Sequence, residues 1–221
     1  MKHLLWGMLL LLSTLTVTAQ KFEGKIVFKM TYDKLDAQTQ SMMPTESSAY
    51  YKDGYSRIEM SMGMGMKNVT ITNPKENKTV VLMDMMGQKY AITPSADDAE
   101  SKKQLEQTTV TIGKETQMIA GYKCTKAIVE APSKEKGTQK MEVWFTKELS
   151  IPNGQANGPM SKIEGAILKY TIEQGPVQIT MTADKVTKEP VADEKFVVPA
   201  DYKVVTQEEL MKAMGGGAGG Q

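Results

Sequence analysis

Methionine is the residue type in this sequence whose abundance and spacing most suggest chemistry, because it accounts for 18 of the 221 residues. One short segment has a methionine at every second position, namely Met60, Met62, Met64 and Met66. Side chains two residues apart on a β-strand project from the same face, so the spacing predicts a row of four thioethers on one face. A second cluster, formed by Met83, Met85 and Met86, follows about one hairpin later.

The methionine row has three interpretations. Thioether sulfur is a soft ligand that selects Cu(I), and three or four such groups at close range can bind it without histidine. Flexible, polarizable methionine side chains also form an adaptable apolar surface for hydrophobic ligands or partners. In the third interpretation methionine fills the inner face of a sheet, where Leu or Val would serve equally. Gly63 and Gly65 favour an edge, a bend or a mobile segment, because glycine weakens a strand.

Several common classes of active site are excluded by composition. The only histidine is His3, which lies in a segment that we expect to be cleaved, so a Ser-His-Asp mechanism and a His-based zinc site are both excluded. The single cysteine, Cys124, is predicted to be a small buried hydrophobe. No phosphate-binding glycine motif is present, and no carboxylate stands in an apolar context that would raise its pKa. We therefore expect a protein that is not an enzyme and that uses no cofactor.

Residues 1–19 are predicted to be a secretory signal peptide. Lys2 and His3 precede the apolar run 4–12, and Val17-Thr18-Ala19 forms a small-residue cleavage site. The apolar run is too short for a membrane-spanning helix, which needs about 20 residues. No cysteine follows the cleavage site for lipid attachment. We expect an exported, soluble protein, periplasmic or extracellular, without stable membrane insertion.

The charge balance excludes a further class of partner. Removal of Lys2 from the 27 basic residues leaves 26 against 26 acidic residues, so the expected mature chain is neutral. It contains one arginine, Arg57. Nucleic-acid binding requires a basic surface, so no nucleic-acid partner is expected.

Alternation of apolar and polar residues predicts a chain built mainly of β-strands. In the first strand one face carries Phe22, Ile26, Phe28, Met30 and Tyr32. The further predicted strands are 49–51, 55–62, 68–72, 79–84, 89–93, 108–112, 122–130, 140–146, 166–173 and 177–186. Lys52-Asp53-Gly54 predicts a hairpin turn that joins 49–51 to 55–62. The short, regular spacing of the strands and the hairpin signals between them favour an antiparallel meander. The predicted fold is mainly β: a curved antiparallel sheet or incomplete barrel with one or two short helices.

Two helices complete the predicted domain. Ser95 is a suitable N-cap for a helix over 95–107. The sequence Thr206-Gln207-Glu208-Glu209 fits a capping box for a short helix that ends at Met214. A single β-rich domain is therefore expected over 20–214, followed by a flexible glycine-rich tail over 215–221.

Four stretches carry a resemblance to a known family: Phe22-Glu23-Gly24-Lys25-Ile26, Ile119-Ala120-Gly121-Tyr122-Lys123-Cys124-Thr125-Lys126, Val143-Trp144-Phe145-Thr146 and Phe196-Val197-Val198-Pro199-Ala200-Asp201-Tyr202. In these stretches the chain resembles exported bacterial proteins, common in Bacteroidota, that are catalogued only as a domain of unknown function. That family is similar in organisation to the periplasmic lipoprotein carriers of the LolA/LolB type. Those carriers have an incomplete antiparallel barrel with helices across an apolar cavity that holds acyl chains. The resemblance implies this fold and an apolar ligand, and it supplies no catalytic residues.

The expected function is that of an exported, non-catalytic binding protein. It would hold a hydrophobic ligand, such as a lipid or acyl chain, on the concave face of a half-barrel. The alternatives are a Cu(I)-binding or copper-handling protein that uses the same methionines, and a structural or interaction module of the cell envelope. The candidate ligand-binding residues are Met60, Met62, Met64, Met66, Met83, Met85, Phe28 and Met30.

Overall fold

The computed structural model describes residues 21–85, 87–93, 98–133, 137–151 and 158–215. Four features predicted from the sequence lie outside these residues: the signal peptide 1–19, Met86, the helix cap Ser95 and the glycine-rich tail beyond residue 215. The single-domain organisation over 20–214 stays a prediction.

Twelve strands lie in the described part of the chain and form one sheet. They are β1 (Gly24–Asp33), β2 (Glu46–Lys52), β3 (Tyr55–Ser61), β4 (Lys67–Asn73), β5 (Lys78–Met85), β6 (Gln88–Ile92), β7 (Thr109–Ile119), β8 (Tyr122–Ser133), β9 (Gly137–Thr146), β10 (Ala166–Gln174), β11 (Val177–Lys188) and β12 (Lys203–Val205). The order across the sheet is β12-β6-β5-β4-β3-β2-β1-β11-β10-β9-β8-β7. The sheet is open and curved, which confirms the predicted fold class.

Two antiparallel meanders, β1–β6 and β7–β11, meet at the centre of the sheet. Their seam is the pairing of β1 with β11, which extends from Gly24 opposite Lys188 to Asp33 opposite Gln178. The prediction of a purely antiparallel sheet was wrong for β12, which runs parallel to β6. A parallel neighbour requires a long connection, and here the 110 residues between Ile92 and Lys203, about half of the chain, separate the two strands.

Short turns with left-handed backbone close the hairpins. Asp53 and Gly54 have φ angles of 50° and 87°, as a two-residue turn between twisted strands requires, and this hairpin was predicted. Ala120 and Gly121, with φ angles of 47° and 86°, close the β7–β8 hairpin in the same way. That hairpin was not predicted, and β7 continues to Ile119 rather than ending near residue 112.

Three short α-helices lie in the described residues: α1 (Ala37–Met42), α2 (Asp98–Gln107) and α3 (Gln207–Gly215). The predicted capping box starts α3, since the Glu209 amide donates to the Thr206 hydroxyl at 3.1 Å and the Thr206 amide donates to the Glu209 carboxylate at 2.7 Å. Helix α1 was not predicted. Its signal was Asp36, whose carboxylate accepts the amide of Thr39 at 2.9 Å as an N-cap.

The two faces of strands β1–β6 differ completely in charge. The pairing registers place every charged side chain of these strands on one face: Lys25, Lys29, Asp33, Glu46, Lys52, Arg57, Glu59, Lys67, Lys78, Asp84 and Lys89. The opposite face carries only apolar and uncharged polar residues, which include Ile26, Phe28 and Ala49. A one-residue slip in any register would exchange the two faces of a strand and place charged side chains on the uncharged face, which opposes such a slip.

A C-terminal strap, defined here as Val191–Tyr202, covers the charged face. Its side chains Phe196, Val198 and Tyr202 pack against a cluster of Val69, Ile71, Leu82 and Ala91. The strap contains a 3-10 helix at Asp193–Phe196 and a turn in which the Tyr202 amide donates to the Pro199 carbonyl at 3.2 Å, and β12 begins at the next residue, Lys203.

Candidate functional site

A row of aligned residues crosses strands β1–β6 on the uncharged face. Successive pairings bring together Phe28, Ser47, Met60, Asn68, Met83 and Tyr90 in that order across the sheet. Directly paired residues share a face, with their Cβ atoms about 4.5–5.5 Å apart. The row therefore places side chains from six strands side by side.

A second row lies one step toward the turn that closes the β3–β4 hairpin. The Met62 amide donates to the Met66 carbonyl at 2.8 Å, so these two residues lie opposite each other. Because Lys67 pairs with Asp84, the preceding position on β4 places Met66 beside Met85. The Met30 amide donates to the Thr45 carbonyl at 2.9 Å, so Met30 lies opposite Thr45 at the same end of the sheet.

The two rows form a surface that we call the methionine face. It is defined by Phe28, Met30, Ser47, Met60, Met62, Met66, Met83 and Met85. The candidate residues from the sequence lie on it with one exception, Met64, which lies in the turn and whose side chain is outside the described part of the structure.

The methionine row does not lie on one continuous strand, and the bend that Gly63 and Gly65 favoured is a turn. Strand β3 ends at Ser61, a 3-10 turn occupies Gly63–Gly65, and β4 begins at Lys67. The chain reverses there because Gly65 adopts a φ of 73°, which a residue with a side chain rarely adopts. Met62 and Met66 nevertheless share a face, because they flank the turn in extended conformation and not because they follow one another along a strand.

The methionine face is partly open to solvent. Phe28 is 6% exposed, Met62 is 38% exposed, and Met60, Met66, Met83 and Met85 are half-buried. Fully buried positions would indicate a plain core, and isolated exposed ones would be ordinary surface. A contiguous, half-buried apolar surface is typical of a ligand or partner site.

Two helices border this face. Leu210 of α3 packs with Ile92 and Val205, and Met83 and Met85 pack against that cluster. Helix α1 reaches the β3–β4 turn, where a Cβ added to Gly63 would lie 3.2 Å from the Met42 carbonyl oxygen. Glycine at position 63 thus permits the close approach of α1 to the end of the methionine face.

Ser47 is the functional candidate that sequence reasoning missed. It lies between Phe28 and Met60 and is 1% exposed. Among the described residues its hydroxyl is the buried side-chain polar group that has no hydrogen-bond partner. The sequence shows only that Ser47 alternates with Ala49 and Tyr51, a spacing that places the three residues on the same, apolar face.

Arg57 lies on the charged face and has a structural role. It donates to the Glu59 carboxylate at 2.6 Å and to the Lys195 carbonyl at 2.9 Å, which fastens the strap to the sheet. Desolvation by burial opposes ionisation of Glu59, but the hydrogen bond and charge of Arg57, with Lys67 and Lys195 nearby, leave its pKa below the usual value. A ligand on the methionine face therefore does not contact the one arginine.

Cys124 is buried at 0% exposure, as the sequence predicted. Burial, and to a lesser degree the Glu148 carboxylate, raises the pKa of its thiol to about 11. The folded protein therefore holds the neutral thiol. Because the pKa is higher in the folded than in the unfolded protein, the neutral thiol contributes to the free energy of unfolding. This contribution is complete below the pKa of the unfolded thiol, about 8.5, and is lost as the pH rises toward 11.

We expect native Cys124 to react with Ellman's reagent at pH 8 on the order of 100-fold more slowly than an exposed thiol, because the thiolate is the nucleophile. The control is Met118→Cys in a Cys124→Ser background, since Met118 is 63% exposed on β7. Both proteins should react at the same rate in guanidinium chloride. Equal rates in the native state would contradict the assignment of a buried, inert thiol.

A separate cleft lies in the second half of the sheet. It has a volume of about 530 Å³ and is lined by Ile112, Lys123, Thr125, Phe145, Thr146, Lys147 and Glu148. Ile112 is 59% exposed there, but Lys123, Lys147 and Glu148 also line the cleft, so it lacks the uncharged surface that several strands share on the methionine face. We therefore place the candidate site on the methionine face.

Two kinds of feature are not found in the described residues. No group of three or more His, Cys, Asp or Glu side chains is positioned there to hold a metal ion. None of the helices in the described ranges has both the length and the apolar character needed to cross a membrane.

Comparison with known proteins gives one family match. The family described as "Domain of unknown function (DUF4412)" matches residues 22–202, which is most of the chain. No curated protein matches the sequence.

The solved structures that overlap with this chain are distant in sequence. PNGF-II overlaps in two crystal forms, with TM-scores of 0.54 and 0.52, identities of 13% and 15%, and coverage of 86% and 87% of this chain. The chain spans about a third, 32%, of PNGF-II, and the similarity shows a shared fold alone. The Mycobacterium tuberculosis lipoprotein LppX overlaps with a TM-score of 0.41 and 12% identity over 79% of this chain and 91% of LppX.

Proposed function

Because this chain belongs to the DUF4412 family, described only as a domain of unknown function, we propose from its geometry that it is an exported, non-catalytic binding protein. Its ligand is an apolar molecule, such as a lipid or acyl chain, held on the methionine face. The observation that carries this proposal is the separation of charge: strands β1–β6 place all their charged residues on the opposite face.

The energetic basis is burial of apolar surface. The half-buried methionines still expose part of their side chains, and Met62 exposes 38% of its surface. A ligand that removes about 300 Å² of apolar surface from water gains roughly 7 kcal/mol before the entropic cost of association. Methionine suits this task because its unbranched side chain adapts to chains of varied shape.

The neighbouring elements leave part of the face accessible, although Phe28 lies in the core with Trp144 and Leu168. The strap Val191–Tyr202 lies on the charged face, and α3 contacts the methionine face only at the β5, β6 and β12 side. Met30, Met60 and Met62 lie on strands farther from α3. The exposed part of the face is therefore the part nearest the β3–β4 turn.

A Cu(I) site is the second candidate, and one observation favours it. Met62 lies opposite Met66, and Met66 lies beside Met85. Three methionines are therefore neighbours at the end of the face that is nearest the β3–β4 turn. Soft thioether ligands of this kind select Cu(I). The two candidates use the same residues but require different properties of them, namely apolar contact or sulfur coordination.

The test is native mass spectrometry of the gently purified protein, together with binding measurements on the Met62→Leu, Met66→Leu variant. Leucine keeps the apolar surface and removes the sulfur. We expect a co-purifying lipid mass, and affinity for the neutral fluorescent probe N-phenyl-1-naphthylamine within about threefold of the wild type, since volume-conserving hydrophobic exchanges are well tolerated.

The other outcomes are equally informative. A copper adduct, with Cu(I) affinity that the leucine variant loses, would replace the lipid proposal with the copper proposal. If the wild type binds neither the probe nor Cu(I), both proposals fail, and a role in contacting an envelope partner becomes the explanation for the exposed methionines.

A further inference from the structure

The hydroxyl of Ser47 lies within an apolar surface. Its paired neighbours across the sheet are Phe28 on β1 and Met60 on β3, and Ala49 follows two positions along β2. Ser47 is 1% exposed, and its oxygen has no hydrogen-bond partner among the described residues. A buried hydroxyl without a partner is costly, and such groups are rare in native proteins.

The described strands around Ser47 present no charged side chain on the methionine face that would neutralise a charged ligand. On the methionine face of β1–β6 there is no charged side chain, and the paired positions Met181 and Ala183 of β11 continue the apolar surface. The nearest charge in the same row is Lys203, which lies beyond Tyr90 on β12. Five strand spacings separate it from β2, which amounts to about 24 Å.

We infer that the ligand of the methionine face is an uncharged amphiphile, a long-chain alcohol or ester, whose polar oxygen forms a hydrogen bond with Ser47. This inference rests on the proposed function and specifies its ligand class. A hydroxyl both donates and accepts, so Ser47 can satisfy either an alcohol or an ester carbonyl. A carboxylate or phosphate would have to leave water without a counter-charge, which is unfavourable.

Access to Ser47 depends on Met60. This side chain is half-buried, unbranched and adjacent to Ser47 across the β2–β3 pairing. It has several rotatable bonds and can move aside at low cost, as methionine does at adaptable binding surfaces. The apolar chain of the ligand then lies along Met60, Met83 and the residues beyond, while its polar group occupies the place beside Ser47.

The experiment measures displacement of N-phenyl-1-naphthylamine by dodecanol, dodecane and dodecanoate at pH 8, for the wild type and for Ser47→Ala. We expect dodecanol to bind about fivefold more tightly than dodecane, the effect of one net hydrogen bond, and dodecanoate to bind most weakly. Ser47→Ala should reduce dodecanol affinity about fivefold and leave dodecane affinity unchanged. Ser48→Ala is the matched control, because Ser48 is the next residue on β2 and lies on the opposite face.

Three outcomes would overturn the inference while the proposed function stands: dodecanoate binds most tightly, dodecanol binds no better than dodecane, or Ser47→Ala weakens dodecane and dodecanol equally. If the wild type binds neither the probe nor any of the three compounds, the proposed function itself fails.

Thermal denaturation of Ser47→Ala checks the fold, and we expect a Tm equal to or above that of the wild type, since the substitution removes an unpaired buried hydroxyl.

Discussion

Replacing Met60 and Met83 together by glutamate should lower the affinity for N-phenyl-1-naphthylamine by at least about 100-fold, because the ligand would have to cover two carboxylates on a face without a counter-charge. The two positions are separated by Asn68 in the same row, so both changes fall in the centre of the methionine face. Both side chains are half-buried, which lets the carboxylates reach water in the free protein. Fluorescence titration measures the change.

Two controls separate this effect from a general loss of structure. Met60→Leu with Met83→Leu keeps the apolar contact and should bind within about threefold of the wild type. Met211→Glu adds a carboxylate to α3 at a residue that is 60% exposed and away from the face, and it should bind normally. A folded glutamate variant that binds the probe as tightly as the wild type would show that the methionine face is not the site.

Ile26→Ala should destabilise the protein by about 2–5 kcal/mol, the range for removing a large aliphatic side chain from a packed core. Ile26 is 0% exposed and lies on β1 between Ala49 of β2 and Val186 of β11. It therefore occupies the seam that joins the two meanders. Urea denaturation monitored by circular dichroism measures the change in the free energy of unfolding.

The matched substitution Ile26→Val removes one methylene and should cost about 0.5–1.5 kcal/mol. Because the seam joins both halves of a single sheet, each variant should unfold in one transition. A loss below about 1 kcal/mol for Ile26→Ala, or two separate transitions in the wild type, would contradict a shared core across the seam.

The features that were correctly predicted from sequence depend on residues close together in the chain. Asp53-Gly54 predicted a hairpin because its left-handed conformations are local, and Thr206 with Glu209 predicted the start of α3 for the same reason. The alternation of Ile26, Phe28 and Met30 predicted a half-buried strand. In each case the energetic preference arises within a few residues, so the tertiary structure did not change it.

The errors occur where a local pattern had two solutions. The spacing of Met60, Met62 and Met66 is compatible with a strand, and the glycines at 63 and 65 are compatible with a turn. The structure has the turn, which is closed by the hydrogen bond from the Met62 amide to the Met66 carbonyl. Helix α1 was missed because its apolar content is low, although Asp36 and Thr39 formed a readable cap. The parallel pairing of β12 with β6 had no local signal at all.

The amino-acid sequence by itself determined the β-rich character, the turns and the uncharged side of each strand, because side-chain alternation and turn preference act over two to four residues. The tertiary structure decided which residues meet. Register across β3, β4 and β5 placed Met60 and Met83 in one row on either side of Asn68 and placed Met66 beside Met85, and register across β1, β2 and β3 placed Ser47 between Phe28 and Met60. These contacts depend on the cooperative burial of one face along several strands, a property that no single segment of the chain possesses.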